Sequence, residues 1–384
     1  MSLNVYRFGK GLAGVIGLGV LSLILGRVLA YGAGEPSVPG GSSTAPAKTG
    51  VERHLANIRQ LTVGRQNAEA YFSFEGSKLV FQSTNDWRDA KGDMLPTAKT
   101  KAERGLGCYQ IYVMDLESES IRLVSTGVGA TTCGYFFPGG RRVLYSSTHH
   151  VAPSCPPKPS REGGYRWALD DYDIYSVRLD GQQMQRLTHT PGYDAEATIS
   201  PDGKTIVWTS LRDGDLDIYA MNADGTHVRR LTTELGYDGG PFFSPDSRRI
   251  VYRAQHPQTL EEVDEYQALL KQKLVKPNKL EIFVMNADGS GRRQVTSNGA
   301  SNFSPYFHPD GRRIIFASNA HPGERAFHLY LINDDGTQLE QLTFEGEFNS
   351  FPMFSPDGKR LVWVSDRQAE QPGEFNVFLA DWIP

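Results

Sequence analysis

The stretch ATISPDGKTIVWTSLRDGDLDIYAMNADGTHVRRLT (197–232) decides the fold. It reads as a strand, a tight turn, a second strand, a third alternating strand, another tight turn and a short fourth strand. The first turn, Pro-Asp-Gly at 201–203, has a mechanism: Pro presets φ, Asp hydrogen-bonds its own backbone, and Gly accepts positive φ. The second, Asp-Gly at 224–225, is a hairpin signal.

Working outward, every part of this stretch recurs. The strand–turn–strand phrase stands at 71–83, 135–147, 197–210, 241–254, 305–318 and 352–365. The alternating third strand stands at 110–116, 173–179, 217–223, 281–287, 328–334 and 376–382. The short fourth strand follows five of these, at 122–125, 186–188, 230–232, 294–296 and 341–343. No copy follows the last repeat; the sixth is RQLT at 59–62. That displacement predicts that the N-terminal strand completes the last blade and removes the free sheet edges. The expected fold is therefore all-β: a six-bladed β-propeller of four-stranded blades, ring-closed by the N-terminal strand, with one helical insertion.

Composition agrees. The chain has 384 residues, 40 Gly, 22 Pro, 17 Tyr and 19 Phe, so turns and aromatics are abundant. A formal net charge of −4 speaks against a nucleic-acid partner, which needs a basic footprint. Three Cys cannot build a disulfide scaffold or a four-thiolate zinc site. Residues 1–34 read as a signal peptide or signal anchor, with Arg7 and Lys10 ahead of the apolar run 11–26. Arg27 directly after the run favours the anchor, and small residues at Ala30, Gly32 and Ala33 favour cleavage. Residues 35–53 read as a flexible linker and 54–384 as the propeller. The expected location is periplasmic or secreted, or anchored at the inner membrane, with membrane contact only through an uncleaved N-terminal segment. Cleavage would leave a formal net charge of −7.

The SPDG turns (200–203 and 355–358), the run SLRDGDLDIYAMNADG (210–225) and the RLT strands resemble the TolB-type β-propeller over about residues 55–384. The resemblance implies an exported propeller. TolB proteins carry an α/β domain ahead of the propeller, and here the linker stands in that place. The EAYFSF, CPPKP and YDGGPFFSPD runs look closer to exported TolB-like propellers of unassigned role. Similar propellers also precede the hydrolase domain of prolyl-oligopeptidase-type peptidases. No Gly-x-Ser-x-Gly motif of such a domain occurs in this sequence.

The insertions at 84–109, 148–172, 255–280, 319–327 and 366–375 all join second to third strands, which places them on one face around the central funnel. Within 255–280, Thr259 and Glu262 form a capping box and Leu260, Val263, Gln267, Leu270 and Leu274 a helical stripe ended by Pro277. That helix is either a lid or a packing element. Arg166 and Trp167 in the second insertion are candidate recognition residues.

Glu69, Asp194, Glu196 and Asp238 stand near the start of first strands and are expected to ring the funnel mouth, where they could hold Ca²⁺ or a cationic group. The structural alternative is turn capping and pairing with arginines. Arg253 breaks its own repeat, where other blades have Gln82, Ser146, Thr209, Ala317 and Val364. It would anchor an anionic ligand or pair with a carboxylate such as Asp238. His149, His256 and His321 follow second strands and form a candidate transition-metal set, with a precedent by resemblance in propeller lyases that act on pectic fragments. Cys108 and Cys133 are the expected disulfide, with Cys155 able to take either partner. The recurring Tyr112, Tyr175, Tyr219, Phe283, Tyr330 and Phe378 are expected to pack between blades. The functional expectation is a monomeric, non-enzymatic binding or scaffold module without a cofactor. Its partner would be an envelope protein, peptide or polysaccharide on the loop-rich face. The alternative is a metal-dependent lyase or hydrolase in the funnel.

Overall fold

In the computed structural model of the protein, the described residues are 50–160, 162–320 and 325–384. The segment 1–34, most of the linker and His321 lie outside them. Six antiparallel four-stranded sheets succeed one another along the chain. Blade one comprises Asn67–Phe72, Lys78–Asp86, Arg104–Asp115 and Ile121–Leu123. Blade two comprises Thr131–Phe136, Arg142–Ser147, Asp173–Arg178 and Gln185–Arg186. Blade three comprises Asp194–Ile199, Thr205–Ser210, Asp217–Asn222 and Arg229–Arg230. Blade four comprises Tyr237–Phe243, Arg249–Gln255, Glu281–Asn286 and Arg293–Gln294. Blade five comprises Asn302–Phe307, Arg313–Ser318, His328–Asn333 and Glu340–Gln341.

Blade six takes Asn349–Phe354, Arg360–Ser365 and Asn376–Trp382 from the C-terminus and its outer strand, Leu55–Gln60, from the N-terminus. That strand pairs antiparallel with Asn376–Trp382, Leu55 opposite Trp382 and Gln60 opposite Phe378. The ring is therefore closed as the displaced RQLT copy predicts. The closing bond is a threonine lock shared with other blades. Thr62 Oγ1 accepts from Val377 N (2.9 Å) and donates to Asn376 Oδ1 (3.1 Å). Thr188 does the same with Ile174 and Asp173, and Thr232 with Ile218 and Asp217. The ordered contacts begin earlier than the expected boundary at residue 54: Glu52 accepts from Arg367 on blade six at 2.9 and 3.0 Å.

Each blade also repeats one cross-strand aromatic pair, a favoured packing unit. Phe81–Tyr112, Tyr145–Tyr175, Trp208–Tyr219, Tyr252–Phe283, Phe316–Tyr330 and Trp363–Phe378 lie with ring centroids 5.6–5.9 Å apart. Five of the six third-strand rings are buried and Phe283 is half-buried, the core role expected of them.

The helix is present as α1, Leu260–Lys271. Thr259 caps it, accepting from Glu262 N, and Glu262 returns a bond to Gln258 N rather than to the cap residue. Its buried face matches the expected stripe only in part: Val263 and Leu270 are half-buried, with Leu270 against the loop core. Leu260 is 84% exposed, Leu269 is buried, and Tyr266 donates to Asp215 Oδ1 at 2.6 Å. Leu274 belongs to the strand that follows, and the helix ends at Lys271, before Pro277. Tertiary anchoring by Tyr266 and Leu269 turns the helix by about one position from the face that leucine spacing alone selects.

Candidate functional site

Every inner strand carries the same irregularity. The register with its second strand shifts between Ala68 and Tyr71, Thr132 and Tyr135, Ala195 and Thr198, Gly239 and Phe242, Phe303 and Tyr306, and Ser350 and Met353. At the bulge stand Glu69, Cys133, Glu196, Gly240, Ser304 and Phe351, all with φ between 49° and 61°. A bulge leaves one residue out of the ladder and re-aims its side chain. Two residues further along the strands, away from the loop-rich face, Tyr71, Tyr135, Phe242 and Tyr306 close the centre. The Tyr71 and Phe242 rings of opposite blades meet at 5.3 Å, and Tyr135 and Tyr306 flank them. The funnel thus has an aromatic floor.

Above that floor the six bulge positions are unequal. Blade four contributes Gly240, and the second-strand Arg253 fills the space: a Cβ on Gly240 would lie 2.2 Å from Arg253 Nη1. A Cβ on Gly239 would meet Tyr237 Oη at 2.4 Å and Glu196 Oε2 at 2.8 Å. Both glycines are needed for one charge cluster. Arg253 Nη2 donates to Glu196 Oε1 in a short contact. Glu196 Oε2 accepts from Thr209 Oγ1 (2.7 Å), Gly240 N (2.9 Å) and Tyr237 Oη (3.3 Å). Glu69 shares the space. Burial first, then the charge of Glu196, pushes its carboxyl up to about 7, against the opposing pull of a Cys133 hydrogen bond and of Arg253. Burial, Glu69 and Glu196 together push the Cys133 thiol up, which keeps it neutral.

A roof lies over this cluster. Trp167–Ala168 of the second insertion pairs antiparallel with Leu274–Val275 of the third. The pairing sets the Trp167 ring 5.3 Å from the Arg253 guanidinium, with Tyr237 and Phe303 completing the aromatic surround at 5.6 and 5.9 Å. The same insertion is tied to the first by a disulfide between Cys108 and Cys155. Three insertions are thereby joined into one strap.

Several expected site residues sit elsewhere. The Cys108–Cys133 bond does not form. Cys133 is at the bulge and faces the funnel, whereas Cys108 opens onto the loop margin, where Gly107 leaves room for Cys155. Asp194 and Asp238 do not join the ring. They occupy the first position of the inner strand's repeat, before the bulge, and are spent inside their blades. Asp194 accepts from Trp208 Nε1 (2.9 Å) and Arg212 (3.1 Å). Asp238 accepts from His256 Nε2 (3.2 Å). Burial is the largest influence on the His256 imidazole and lowers its pKa, but the bond to Asp238 and the charges of Asp238 and Glu234 together outweigh it, and the net shift is upward. Arg253 therefore pairs with Glu196, not with Asp238. Arg166 lies against Gly163 of its own loop, while its neighbour Trp167 reaches the cluster. His149 bonds Ser147 Oγ at 2.7 Å. The described residues hold no group of three metal-ligating side chains, and His321 lies outside them.

Tyr237, Thr209, Gly239, Gly240 and Cys133 were not singled out from sequence as funnel residues. One signal was available for the glycines: YDGGPFF departs from the inner-strand pattern of the other repeats in the same blade as the exceptional Arg253.

The fold and funnel define a TolB-type six-bladed propeller. The family model described as the TolB beta propeller domain matches residues 149–273 and 267–381, more than half of the chain. The chain belongs to that family. Among solved structures it is similar to TolB from Acinetobacter baumannii, with 18% identity and a TM-score of 0.52, covering 74% of this chain and 56% of that one. A TolB candidate from Agrobacterium tumefaciens gives 19% identity and a TM-score of 0.53 over 85% of this chain and 97% of that one. At such identities the likeness is one of fold. Dipeptidyl-peptidase 5 of Porphyromonas gingivalis is 47% identical over 47 residues, 12% of this chain and 7% of that protein. Among the described residues no helix is long and apolar enough to cross a membrane.

Proposed function

We infer that the protein is a non-enzymatic binding module that holds a protein or peptide segment of the cell envelope on its loop-rich face. The observation that carries this reading is the strap. A disulfide and a strand pairing join three insertions over the charged, aromatic funnel, and a braced surface loses little entropy on binding. Membership in the TolB propeller family supports a platform of this kind. The neutral Cys133 thiol is in the wrong state for a nucleophile. An exported, periplasmic or secreted location belongs to the same reading.

The test is photo-crosslinking in the native cell envelope. A crosslinker at Tyr165, which is 63% exposed on the strap, is compared with one at Lys359 in the turn of the opposite face. The reading requires a discrete adduct from Tyr165 and none from Lys359. Equal adducts from both faces, or none from Tyr165, overturn it.

A further inference from the structure

On the face opposite the strap, two adjoining hollows of about 470 and 430 Å³ share Arg122 and Leu179 and form one groove between blades one and two. Lys78, Arg122, Arg141, Arg142 and Arg178 line it. The carboxylates there are Asp115, 3.7 Å from Lys78, Asp180, 3.1 Å from Arg178, and Glu75, which rests against Gly140. Arg142 is held by Ser176 Oγ (2.7 Å) and Gln183 O (3.0 Å), and Arg122 reaches Leu179 O at 3.5 Å. Among the described residues, no carboxylate pairs with Arg122, Arg141 or Arg142.

The repeat shows that this junction is an exception. Arg122, Arg229 and Arg293 occupy one outer-strand position, and each reaches over the next blade's third-strand turn. Between blades four and five that turn carries Asp334, whose carboxylate pairs with Arg249 and lies 4.0 Å from Arg293. At the matching position blades two, three and four carry the uncharged Leu179, Ala223 and Ala287. Where blades three to five have Asn222, Asn286 and Asn333 at the end of the third strand, and blades one and six have Asp115 and Asp381, blade two has Arg178. The groove thus lacks the acid of the blade four–five junction and carries a cation, Arg178, where the aligned positions of the other blades are neutral or acidic.

We propose that this groove binds a multivalent oxyanion, a ligand bearing two or more phosphate or carboxylate groups. Guanidinium forks pair with either group in bidentate fashion, and the two held arginines are set in advance. The concave groove suits a discrete polyanionic group more than a flat charged surface.

Titration calorimetry of the full chain tests it, with tripolyphosphate and citrate as separate probes at low and raised ionic strength. Tripolyphosphate, citrate or both bind saturably, more weakly as salt rises, and whichever binds names the chemistry of the natural ligand. The double variant Arg122→Gln/Arg141→Gln weakens binding by at least about tenfold. Arg312→Gln, at the position of blade five equivalent to Arg141, leaves it unchanged. The proposal is overturned if neither probe saturates the wild type at low ionic strength. It is equally overturned if Arg312→Gln weakens binding as much as the double variant. All three substituted arginines are at the turn face, so failure here leaves the strap reading untouched.

Discussion

Gly240 combines two demands at one residue. Its φ of +60° disfavours a side chain, and its missing Cβ makes room for Arg253. Gly240→Ala should cost about 2 kcal/mol in urea unfolding. In an Arg253→Ala background the steric part disappears and the cost should fall. An equal cost in both backgrounds would show that only the backbone angle matters. Glu69 makes a pH prediction. Its folded pKa of about 7 lies above the ordinary 4.5, so the native state holds the extra proton between those values. Stability from this group therefore falls as pH rises from about 4.5 to 7. Glu69→Gln removes the penalty: the variant should be more stable than wild type at pH 8 by on the order of 2 kcal/mol, and no different at pH 4. Thermal melts at both values decide it, and a variant less stable at pH 8 contradicts the assignment. That Glu69 and Arg253 stand at the funnel was legible in sequence. Their partners were not, because a bulge decides which of two neighbouring carboxylates faces the funnel. Glu69 and Glu196 are re-aimed, whereas Asp194 and Asp238 stand before the bulge.

At the scale of elements, the strap is held at two points. One is a covalent link closing a loop of 47 residues, whose entropy is worth at most about 4 kcal/mol. The other is a two-residue ladder between Trp167–Ala168 and Leu274–Val275. Replacing Cys108 and Cys155 with Ser should accelerate amide exchange at 155–170 and at 273–276, while the blade sheets keep their protection. Unchanged exchange in the strap would mean that the ladder and the Trp167 contacts suffice alone. The capping box located the helix start from sequence. The buried face was misread in part: Leu270 packs on the loop core as expected, but Leu260 is exposed, and Tyr266, outside the expected stripe, finds Asp215. A disulfide partner is likewise a matter of which loops cross in space, and spacing along the chain does not carry that.

For the whole molecule, the consequence is mutual dependence of the two termini. Deleting residues 51–62 removes the outer strand of blade six, the Thr62 lock and the Glu52–Arg367 pair. The exposed edge of Asn376–Trp382 would be left unpaired. The deleted protein should melt well below the intact one and tend to aggregate; an unchanged melting temperature refutes closure through this strand.

The sequence by itself determined the architecture. Strand count, blade count, turn positions and ring closure all follow from local signals repeated six times, and a repeated signal averages out the ambiguity of any single segment. It also marked the exceptions, Arg253 and the insertions, as deviations from that repeat. Only the tertiary structure decided the site. The pairing of Arg253 with Glu196, the placement of Cys133 and the roof formed by Trp167 join residues from different blades and insertions across the funnel axis. Such contacts depend on how bulges aim side chains and how loops cross, and neither leaves a periodic trace in the chain.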